Sequence, residues 1–298
     1  MFLATFRRGA QSRPLRLAFS ARFLSSSAPE ASLQPFSKYP GVSALYLNRP
    51  QSKNAISLRL LDELTSCLDE ARFDDRQVSF SVVPLRVLIV CSSTLGSFCA
   101  GADLAERRTM SGTQVDKFLV DLRAALGKLE SLPVPTIAAI DGPALGGGLE
   151  LALACDLRVA GHSVTKIGLP ETKLGIIPGA GGTQRATRLL GLSKAKDLIF
   201  TGRMLAASEA ADWGLLDYVS DEGTSAVDRA LALAEQISAN APLALRSAKL
   251  AISRAVELPL EPGLDFERAA YEPLLKSKDR VEALQAFKEK RRPVFKGE

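Results

Sequence analysis

The chain has very little histidine, and its few cysteines lie far apart. His162 is the only histidine among 298 residues, and the four cysteines, Cys67, Cys91, Cys99 and Cys155, form no CxxC pair. A zinc site of the usual kind needs several such ligands at short spacing, so none is expected. A Ser-His-Asp triad would have to use His162, and no GxSxG motif is present. The cysteines are expected to be buried small hydrophobes in a reducing compartment.

Long apolar runs are also missing. The longest candidate, Ala138–Ala154, is interrupted by Asp141, by Glu150 and by four glycines. A membrane-spanning helix needs roughly 18 uncharged apolar residues or more. No association with a membrane is therefore predicted.

Acidic residues are absent from the start of the chain, up to Glu30. Five of the 38 basic residues precede Glu30, so the remaining 33 balance the 33 acidic residues. A basic surface for nucleic acid or anionic lipid is therefore not implied. The Arg-rich, Ser-rich beginning is typical of a mitochondrial transit peptide, predicted over residues 1–29, although a disordered tail would share this composition.

Strand-like and helix-like segments alternate through the chain, which predicts an α/β protein. The periodicity predicts strands at Ser43–Leu47, Val87–Val90, Thr136–Ile140, Leu157–Ala160 and Lys166–Leu169. It predicts helices at Ser57–Ala71, Thr113–Glu130, Leu149–Cys155, Thr183–Leu190, Ser193–Phe200, Ser208–Trp213, Ala226–Ala239, Pro242–Val256 and Asp279–Lys290. We therefore divide the mature chain into a core, 30–225, and a helical C-terminal section, 226–298, expected to contact other subunits.

Two glutamates next to glycine-rich loops carry most of the functional information. Glu150 closes the segment Gly142–Glu150 inside an otherwise apolar run, and Glu171 precedes Pro178–Arg185. A carboxylate among apolar residues is costly unless it is neutralised, paired or used. Glycine lets a backbone approach a ligand closely, and helix-terminal N–H groups have no partner within the helix. The pattern indicates proton transfer next to a developing oxyanion, although a tight structural turn remains an alternative.

The second glycine-rich segment does not indicate nucleotide binding. Gly179–Gly182 lacks the preceding strand and the later acidic residue of a dinucleotide fingerprint. It also lacks the Gly-Lys-Ser/Thr of a P-loop.

Several ordered motifs resemble the enoyl-CoA hydratase/isomerase (crotonase) superfamily. They are Asn48–Pro50, Asn54-Ala55, Phe98–Asp103, Pro135–Gly142, Ala144–Glu150, Ala154–Asp156, Pro170-Glu171, Pro178–Arg185 and the tail Ala286–Pro293. The likeness spans roughly residues 40–298. It implies a spiral of ββα units followed by helices. Within the superfamily, Ala154–Ala160, Glu171–Leu174 and Lys278–Arg280 are most similar to mitochondrial methylglutaconyl-CoA hydratases.

The resemblance implies roles for individual residues. The backbone N–H groups of Ala102 and Gly147 would hold the thioester oxygen, and Glu150 and Glu171 would hold a water between them. Glu171 is the better candidate for protonating C2. The implied substrate-binding residues are Ala100, Asp103, Gly146 and Gly179. No cofactor is implied, because coenzyme A is part of the substrate.

The chain departs from the family pattern at three places. Ala105 stands where a lysine commonly serves coenzyme A, so the candidates for its phosphates are Arg107, Arg108, Lys288 and Lys290. Ser79–Arg86 resembles an insertion. The segment Gly161–Lys166 is one residue longer than usual, which separates Glu150 from Glu171 by 21 positions.

The expected function is therefore hydration of a 2,3-enoyl-CoA in the mitochondrial matrix, with 3-methylglutaconyl-CoA or a short-chain enoyl-CoA as substrate. An enoyl-CoA isomerase and a non-catalytic RNA-binding member are the alternatives. Having both glutamates favours hydration, and Asp62, Glu63, Asp69 and Glu70 on the Ser57–Ala71 helix argue against RNA. The resemblance implies a homotrimer or homohexamer.

Overall fold

The computed structural model describes residues 28–73, 84–94 and 96–298. The strands in this part are β1 (Ala31–Pro35), β2 (Val42–Leu47), β3 (Val87–Ser92), β4 (Thr136–Ile140), β5 (Ala144–Leu145), β6 (Leu157–Ala160), β7 (Ile167–Gly168) and β8 (Tyr218–Val219). The helices are α1 (Leu58–Arg72), α2 (Leu104–Arg107), α3 (Gly112–Glu130), α4 (Gly147–Leu153), α5 (Gly182–Thr201), α6 (Ala207–Trp213), α7 (Ala226–Ser238), α8 (Pro242–Arg254), α9 (Leu260–Tyr271) and α10 (Lys278–Glu289). Short 3-10 helices span Pro50–Ser52, Glu171–Leu174 and Glu272–Lys276.

The strands form one large sheet and one small one. The large sheet has the order β1-β2-β3-β4-β6-β8, with β1 antiparallel to β2 and the other pairs parallel. The small sheet pairs β5 with β7. Because β5 follows β4 directly, the strand that ends at Ile140 leads straight into the glycine-rich loop.

Both faces of the large sheet are covered, which explains its uninterrupted apolar strands. Along β3, Leu88 and Val90 belong to the main core with α1 and α3, whereas Val87, Ile89 and Cys91 pack in a second cluster with α7. Successive side chains of a strand point to opposite faces. A parallel sheet buried on both faces therefore reads as a continuous hydrophobic run.

The predicted elements are recovered with small shifts in their bounds, and five strands or helices were missed. The two-residue strands β5 and β8 and the one-turn helix α2 are too short for a periodic signal. Strand β1 contains Gln34 and Pro35, and α9 contains Pro262 and Gly263. Proline is tolerated there because the first turn of a helix leaves its N–H groups without intrahelical partners. The two predicted helices around residue 191 meet at Gly191, whose φ of 77° interrupts α5.

The C-terminal helices differ in how they pack on the large sheet. Helix α7 packs on the large sheet through buried residues such as Ala230 and Leu233, and its first N–H groups are bound by Asp141. Helices α8 and α9 bury none of their residues within the chain. The packing on the sheet therefore changes at Pro242, and the division of the chain at residue 226 remains a prediction.

Two of the predicted features fall largely outside the described part. The transit peptide, 1–29, overlaps it only at residues 28 and 29, and the insertion at Ser79–Arg86 only at residues 84–86. The longer segment after β6 is described, and it forms a turn in which Val164 N donates to Gly161 O at 3.0 Å. Among the helices of the described ranges, none has the length and apolarity to cross a bilayer.

Candidate active site

The backbone at Gly146–Gly148, where β5 leads into α4, packs closely on the loop Cys99–Asp103. Gly146 has φ 52° and ψ −124°, a conformation that side chains strongly disfavour. A Cβ on Gly148 would lie 2.2 Å from the carbonyl oxygen of Cys99, so only glycine fits at that position. The glycines therefore let α4 begin at Gly147, two residues earlier than its apolar pattern predicts, and pack on the loop at Cys99–Asp103.

Two backbone N–H groups, those of Ala102 and Gly147, lie at this contact and have no acceptor among the residues that the structure describes. Ile56 forms backbone hydrogen bonds with the residues on either side of Ala102. Its N–H donates to Gly101 O at 2.7 Å, and its carbonyl oxygen accepts the N–H of Asp103 at 3.0 Å. A Cβ on Gly147 would lie only 3.6 Å from Ala102 N. Within the described residues, neither the Ala102 nor the Gly147 N–H donates a hydrogen bond. The pair predicted for the thioester oxygen is thus brought together with both donors available.

Glu150 lies one turn into α4 and is buried, with 3% of its surface exposed. Its Oε1 accepts the backbone N–H groups of Ala180 and Gly182, each at 2.8 Å. Burial raises the pKa of Glu150, while these two hydrogen bonds and the charge of Arg185 lower it and leave a net increase. Both amides bind the ionised form, because a carboxylate accepts N–H donors better than a neutral acid does.

Glu171 opens the 3-10 helix Glu171–Leu174 and is also buried, with 9% exposed. Its Oε2 is buried and accepts no hydrogen bond from any residue that the structure describes. Burial raises its pKa to about 7, the charge of Glu150 adds to the increase, and its own backbone N–H opposes it. Near neutral pH a large share of Glu171 is therefore protonated.

The two carboxyl groups have different environments and therefore different protonation. Glu150 has two amide donors and a nearby guanidinium, whereas Glu171 has an oxygen without a donor and a carboxylate as neighbour. Environments that push two pKa values apart assign one group as base and the other as acid. The arrangement can remove a proton with Glu150 and supply one with Glu171.

The four predicted substrate-binding residues divide into groups with different structural roles. The N–H of Ala100 donates to Lys53 O and that of Gly146 to Gly168 O, so neither amide is available to a ligand. Asp103 caps α2 through the N–H groups of Ala105 and Glu106 and pairs with Arg49 at 2.6 Å. Only Gly179 has an exposed position, next to Leu119.

The structure places the four cationic candidates on two separate elements. Arg107 and Arg108 end α2, five and six residues after Ala102, and the Arg107 guanidinium lies 5.6 Å above the Phe118 ring. Lys288 and Lys290 are exposed at the end of α10. Ala105 is exposed and lies in the chain between the loop Cys99–Asp103 and the two arginines.

The sequence did not single out the residues that hold Glu150. The motif Pro178–Arg185 was visible, but nothing in it indicated that Ala180 and Gly182 bind a carboxylate. Arg185 donates to Ala180 O and to the carboxylate of Glu130 at the end of α3. No sequence motif indicated that Glu130 lies near this site. A cleft of about 1400 Å³ lies beyond this contact, bordered by Gly179, Ala180, α3, α8 and the end of α4.

His162 and the four cysteines are the remaining residues that the sequence analysis considered. His162 is exposed, and the four cysteines are buried and unpaired. Burial raises the pKa of Cys99 to about 12, so this thiol, in the same loop as Ala102, stays protonated. No cluster of three or more potential metal ligands occurs within residues 28–73, 84–94 and 96–298.

Comparison with known proteins gives consistent matches along most of the chain. The family model "Enoyl-CoA hydratase/isomerase" matches residues 37–298. The chain is 54% identical to the enoyl-CoA isomerase/hydratase fer4 of Mycosarcoma maydis, covering 86% of this chain and 93% of that relative. It is 48% identical to the mitochondrial methylglutaconyl-CoA hydratase of Homo sapiens, covering 87% of this chain and 74% of that relative.

A solved structure agrees with these relatives. The crystal structure of an enoyl-CoA hydratase from Bacillus anthracis superposes with a TM-score of 0.84 at 45% identity, covering 90% of this chain and all of that one. The predicted crotonase-like α/β fold with C-terminal helices is thereby confirmed. The chain belongs to the enoyl-CoA hydratase/isomerase family.

Proposed function

We propose that the chain is an enoyl-CoA hydratase, a hydro-lyase that adds water across the 2,3 double bond of an acyl-CoA thioester. The observation that carries this proposal is the position of two buried carboxyl groups, Glu150 and Glu171, next to two unpaired N–H groups. Acid, base and oxyanion donors are the parts that this addition needs, because negative charge develops on the thioester oxygen as water attacks C3.

The proposed reaction balances without any further reagent. Glu150 accepts a proton from water while the water oxygen forms a bond to C3, and the double-bond electrons move toward the thioester. The N–H groups of Ala102 and Gly147 hold the resulting oxyanion. Glu171 then donates a proton to C2, which gives a 3-hydroxyacyl-CoA. Proton exchange with solvent restores both carboxyl groups, and no cofactor takes part because coenzyme A belongs to the substrate.

The environments of the two acids support this assignment over its reverse. Glu150 Oε1 has two N–H donors at 2.8 Å, which favour the anion that a base requires. Glu171 has a pKa raised to about 7 and therefore carries the proton that an acid requires. A general acid works best when its pKa lies near the operating pH.

For the acyl group, we favour a branched dicarboxylic chain such as 3-methylglutaconyl. Relatives from Homo sapiens, Mus musculus and Rattus norvegicus are named methylglutaconyl-CoA hydratases, each 48% identical to this chain. A short-chain enoyl group is the alternative, since a relative in Arabidopsis thaliana is named only as a probable enoyl-CoA hydratase. Comparing kcat/KM for 3-methylglutaconyl-CoA and crotonyl-CoA separates the two.

Isomerase activity is the second candidate, because the fer4 relative is named for both reactions. The same two carboxyl groups could move a proton between C2 and C4 of a 3-enoyl-CoA. Mass spectrometry distinguishes the outcomes, since hydration adds one water to the substrate and isomerisation leaves its mass unchanged. A purified chain that adds no water to any 2,3-enoyl-CoA would contradict the proposed hydratase activity.

A non-catalytic RNA-binding role has less support. Helix α1 has one basic residue more than its sequence pattern indicated, because it extends to Arg72. Arg59 is bound to Glu63, and Arg72 to the end of α3. With Asp62, Asp69 and Glu70 on the same helix, this surface would repel phosphates. A salt-dependent mobility shift with RNA would support the RNA-binding alternative.

We further propose that the enzyme acts in the mitochondrial matrix as a trimer or hexamer. Several relatives are named mitochondrial, and residues 1–29 have a transit-peptide composition. Exposed Ile252, Leu260 and Leu264 on α8 and α9 supply apolar surface for a second copy. A reporter fused to residues 1–35 that stays in the cytosol would contradict the location, and a fully active monomer in light scattering would contradict the assembly.

A further inference from the structure

Arg185 is bound at both ends of its guanidinium. Its Nη1 donates to Ala180 O at 3.0 Å, while Nε and Nη2 donate to the two carboxylate oxygens of Glu130 at 3.2 and 2.7 Å. The paired geometry of guanidinium and carboxylate fixes orientation as well as distance. Only 16% of the Arg185 side chain is exposed, against 52% for Glu130. The arginine is thus held in one place by a partner on α3.

The residue that Arg185 binds also binds the proposed catalytic base. Ala180 donates its N–H to Glu150 Oε1 and accepts Arg185 with its carbonyl oxygen. Between Ala180 and Gly182, Gly181 has φ 112°, and a Cβ there would lie 2.2 Å from Arg185 Nη1. The guanidinium therefore covers Gly181 closely, and the segment Ala180–Gly182 is held between Glu150 and Arg185.

We propose that Arg185, fixed by Glu130, is a positioning residue that holds the Ala180 and Gly182 N–H groups on Glu150 and so orients the base toward the attacking water. This inference rests on the proposed hydratase activity. Arg185 acts through the backbone and touches no reacting atom. Small displacements of a catalytic group have large effects on rate, because a shift of about 1 Å can cost roughly a hundredfold.

A purely structural ion pair would behave differently. Ion pairs with a half-exposed partner contribute little to stability. Loss of Arg185 should therefore leave the fold largely intact and change the chemical step. Charged groups that act on Glu150 are Arg185 and the neighbouring acid Glu171. Removing the positive charge moves the pKa of Glu150 upward, because that charge lowers it.

The test compares Arg185→Met, Arg185→Lys and the matched control Arg188→Met in the full-length enzyme, with crotonyl-CoA or 3-methylglutaconyl-CoA as substrate. Arg188 lies one turn further along α5, borders the same cleft and bonds only to Gln184 within the described residues. For Arg185→Met we expect kcat to fall roughly ten- to a hundredfold with little change in KM, and the acidic limb of the rate profile to move to higher pH. Arg185→Lys should keep that limb near its original pH and recover part of kcat. Arg188→Met should match the wild type.

Glu130→Gln is the second variant, in case Arg185→Met does not fold. It leaves the guanidinium in place without its anionic partner, so a smaller loss of kcat at constant KM is expected. Wild-type kcat and an unmoved acidic limb in Arg185→Met overturn the inference, as does wild-type kinetics in Glu130→Gln when Arg185→Met is unfolded. A wild-type chain that hydrates no enoyl-CoA contradicts instead the proposed function.

Discussion

Gly146 and Glu171 lie in direct contact, since a Cβ added to Gly146 would be 3.1 Å from Glu171 Oε1. Gly146 has φ 52°, so a side chain at residue 146 would strain the backbone and would push the Glu171 carboxyl group away by a few tenths of an ångström. The acid is thereby placed against the same glycine-rich loop that supplies the Gly147 N–H group. One loop thus positions both the oxyanion donor and the proposed proton donor.

Gly146→Ala should therefore impair both folding and catalysis. We expect a loss of about 1–3 kcal/mol in unfolding free energy from the strained backbone, together with a lower kcat as the Glu171 carboxyl group is displaced. Chemical denaturation and steady-state kinetics measure the two effects. Gly127→Ala is the control, because an added Cβ there, in the last turn of α3, would have no other described residue within 4 Å beyond its own helix backbone, and it should stabilise by about 0.5–1 kcal/mol. Equal kinetics in Gly146→Ala and wild type would contradict the close contact.

The rate should depend on pH through both carboxyl groups. Glu171 must be protonated to donate, and its pKa is raised to about 7, so kcat/KM should fall as pH rises through about 7. Glu150 must be ionised to accept, so the rate should also fall at low pH. A rate that stays constant from pH 6 to 9 would be inconsistent with Glu171 as the acid.

Stability should change with pH in a direction fixed by Glu171. Its pKa is raised in the folded state from an ordinary value of 4.5 to about 7, so between these values the folded chain holds a proton that the unfolded chain releases. Its contribution is favourable at low pH and is lost as pH rises through about 7. The difference of roughly two to three pKa units corresponds to about 3 kcal/mol.

Glu171→Gln should consequently be more stable than the wild type at pH 8, and the gap should close toward pH 5. Thermal unfolding at both pH values measures this, and Glu235→Gln at an exposed position provides the control. If Glu171→Gln were less stable than the wild type at pH 8, the claim that the ionised Glu171 carboxylate destabilises the folded chain would be contradicted.

The terminal lysines can be tested without removing the tail. Asp279 accepts the N–H groups of Lys296 and Gly297, and Ala286 is buried, so deleting residues 286–298 would disturb packing as well as charge. Replacing Lys288 and Lys290 together with alanine avoids this. If they meet coenzyme A phosphates, KM for the thioester should rise more than kcat falls. An unchanged KM would assign both lysines to a solvated surface.

The sequence motifs were sufficient to single out both glutamates and the amides of Ala102 and Gly147 as candidates, because each belongs to a contiguous glycine-rich or small-residue segment. Their proximity depends on long-range contacts, such as Ile56 with Gly101 and Glu150 with Ala180, which no local pattern reveals. The pairing of Glu130 with Arg185 could not be predicted either, because an exposed glutamate at a helix end is common and gives no sign of its partner. The roles of the predicted site residues remain predictions until variants are measured.

The helices were predictable from their apolar periodicity, whereas their partners were not. The pattern of α7 matched that of the C-terminal helices, yet α7 packs on the sheet through Ala226 and Ala230, and α8 does not. Both are amphipathic, so periodicity identifies an apolar face but not what covers it.

The most direct measurement compares hydration of an enoyl-CoA by the wild type, Glu150→Gln and Glu171→Gln, with water addition followed by mass spectrometry. We expect the wild type to form the 3-hydroxyacyl-CoA and each glutamine variant, folded by circular dichroism, to be slower by at least about a hundredfold. A folded Glu150→Gln or Glu171→Gln enzyme that hydrates at the wild-type rate would remove that carboxyl group from the mechanism and contradict the proposed pairing of base and acid.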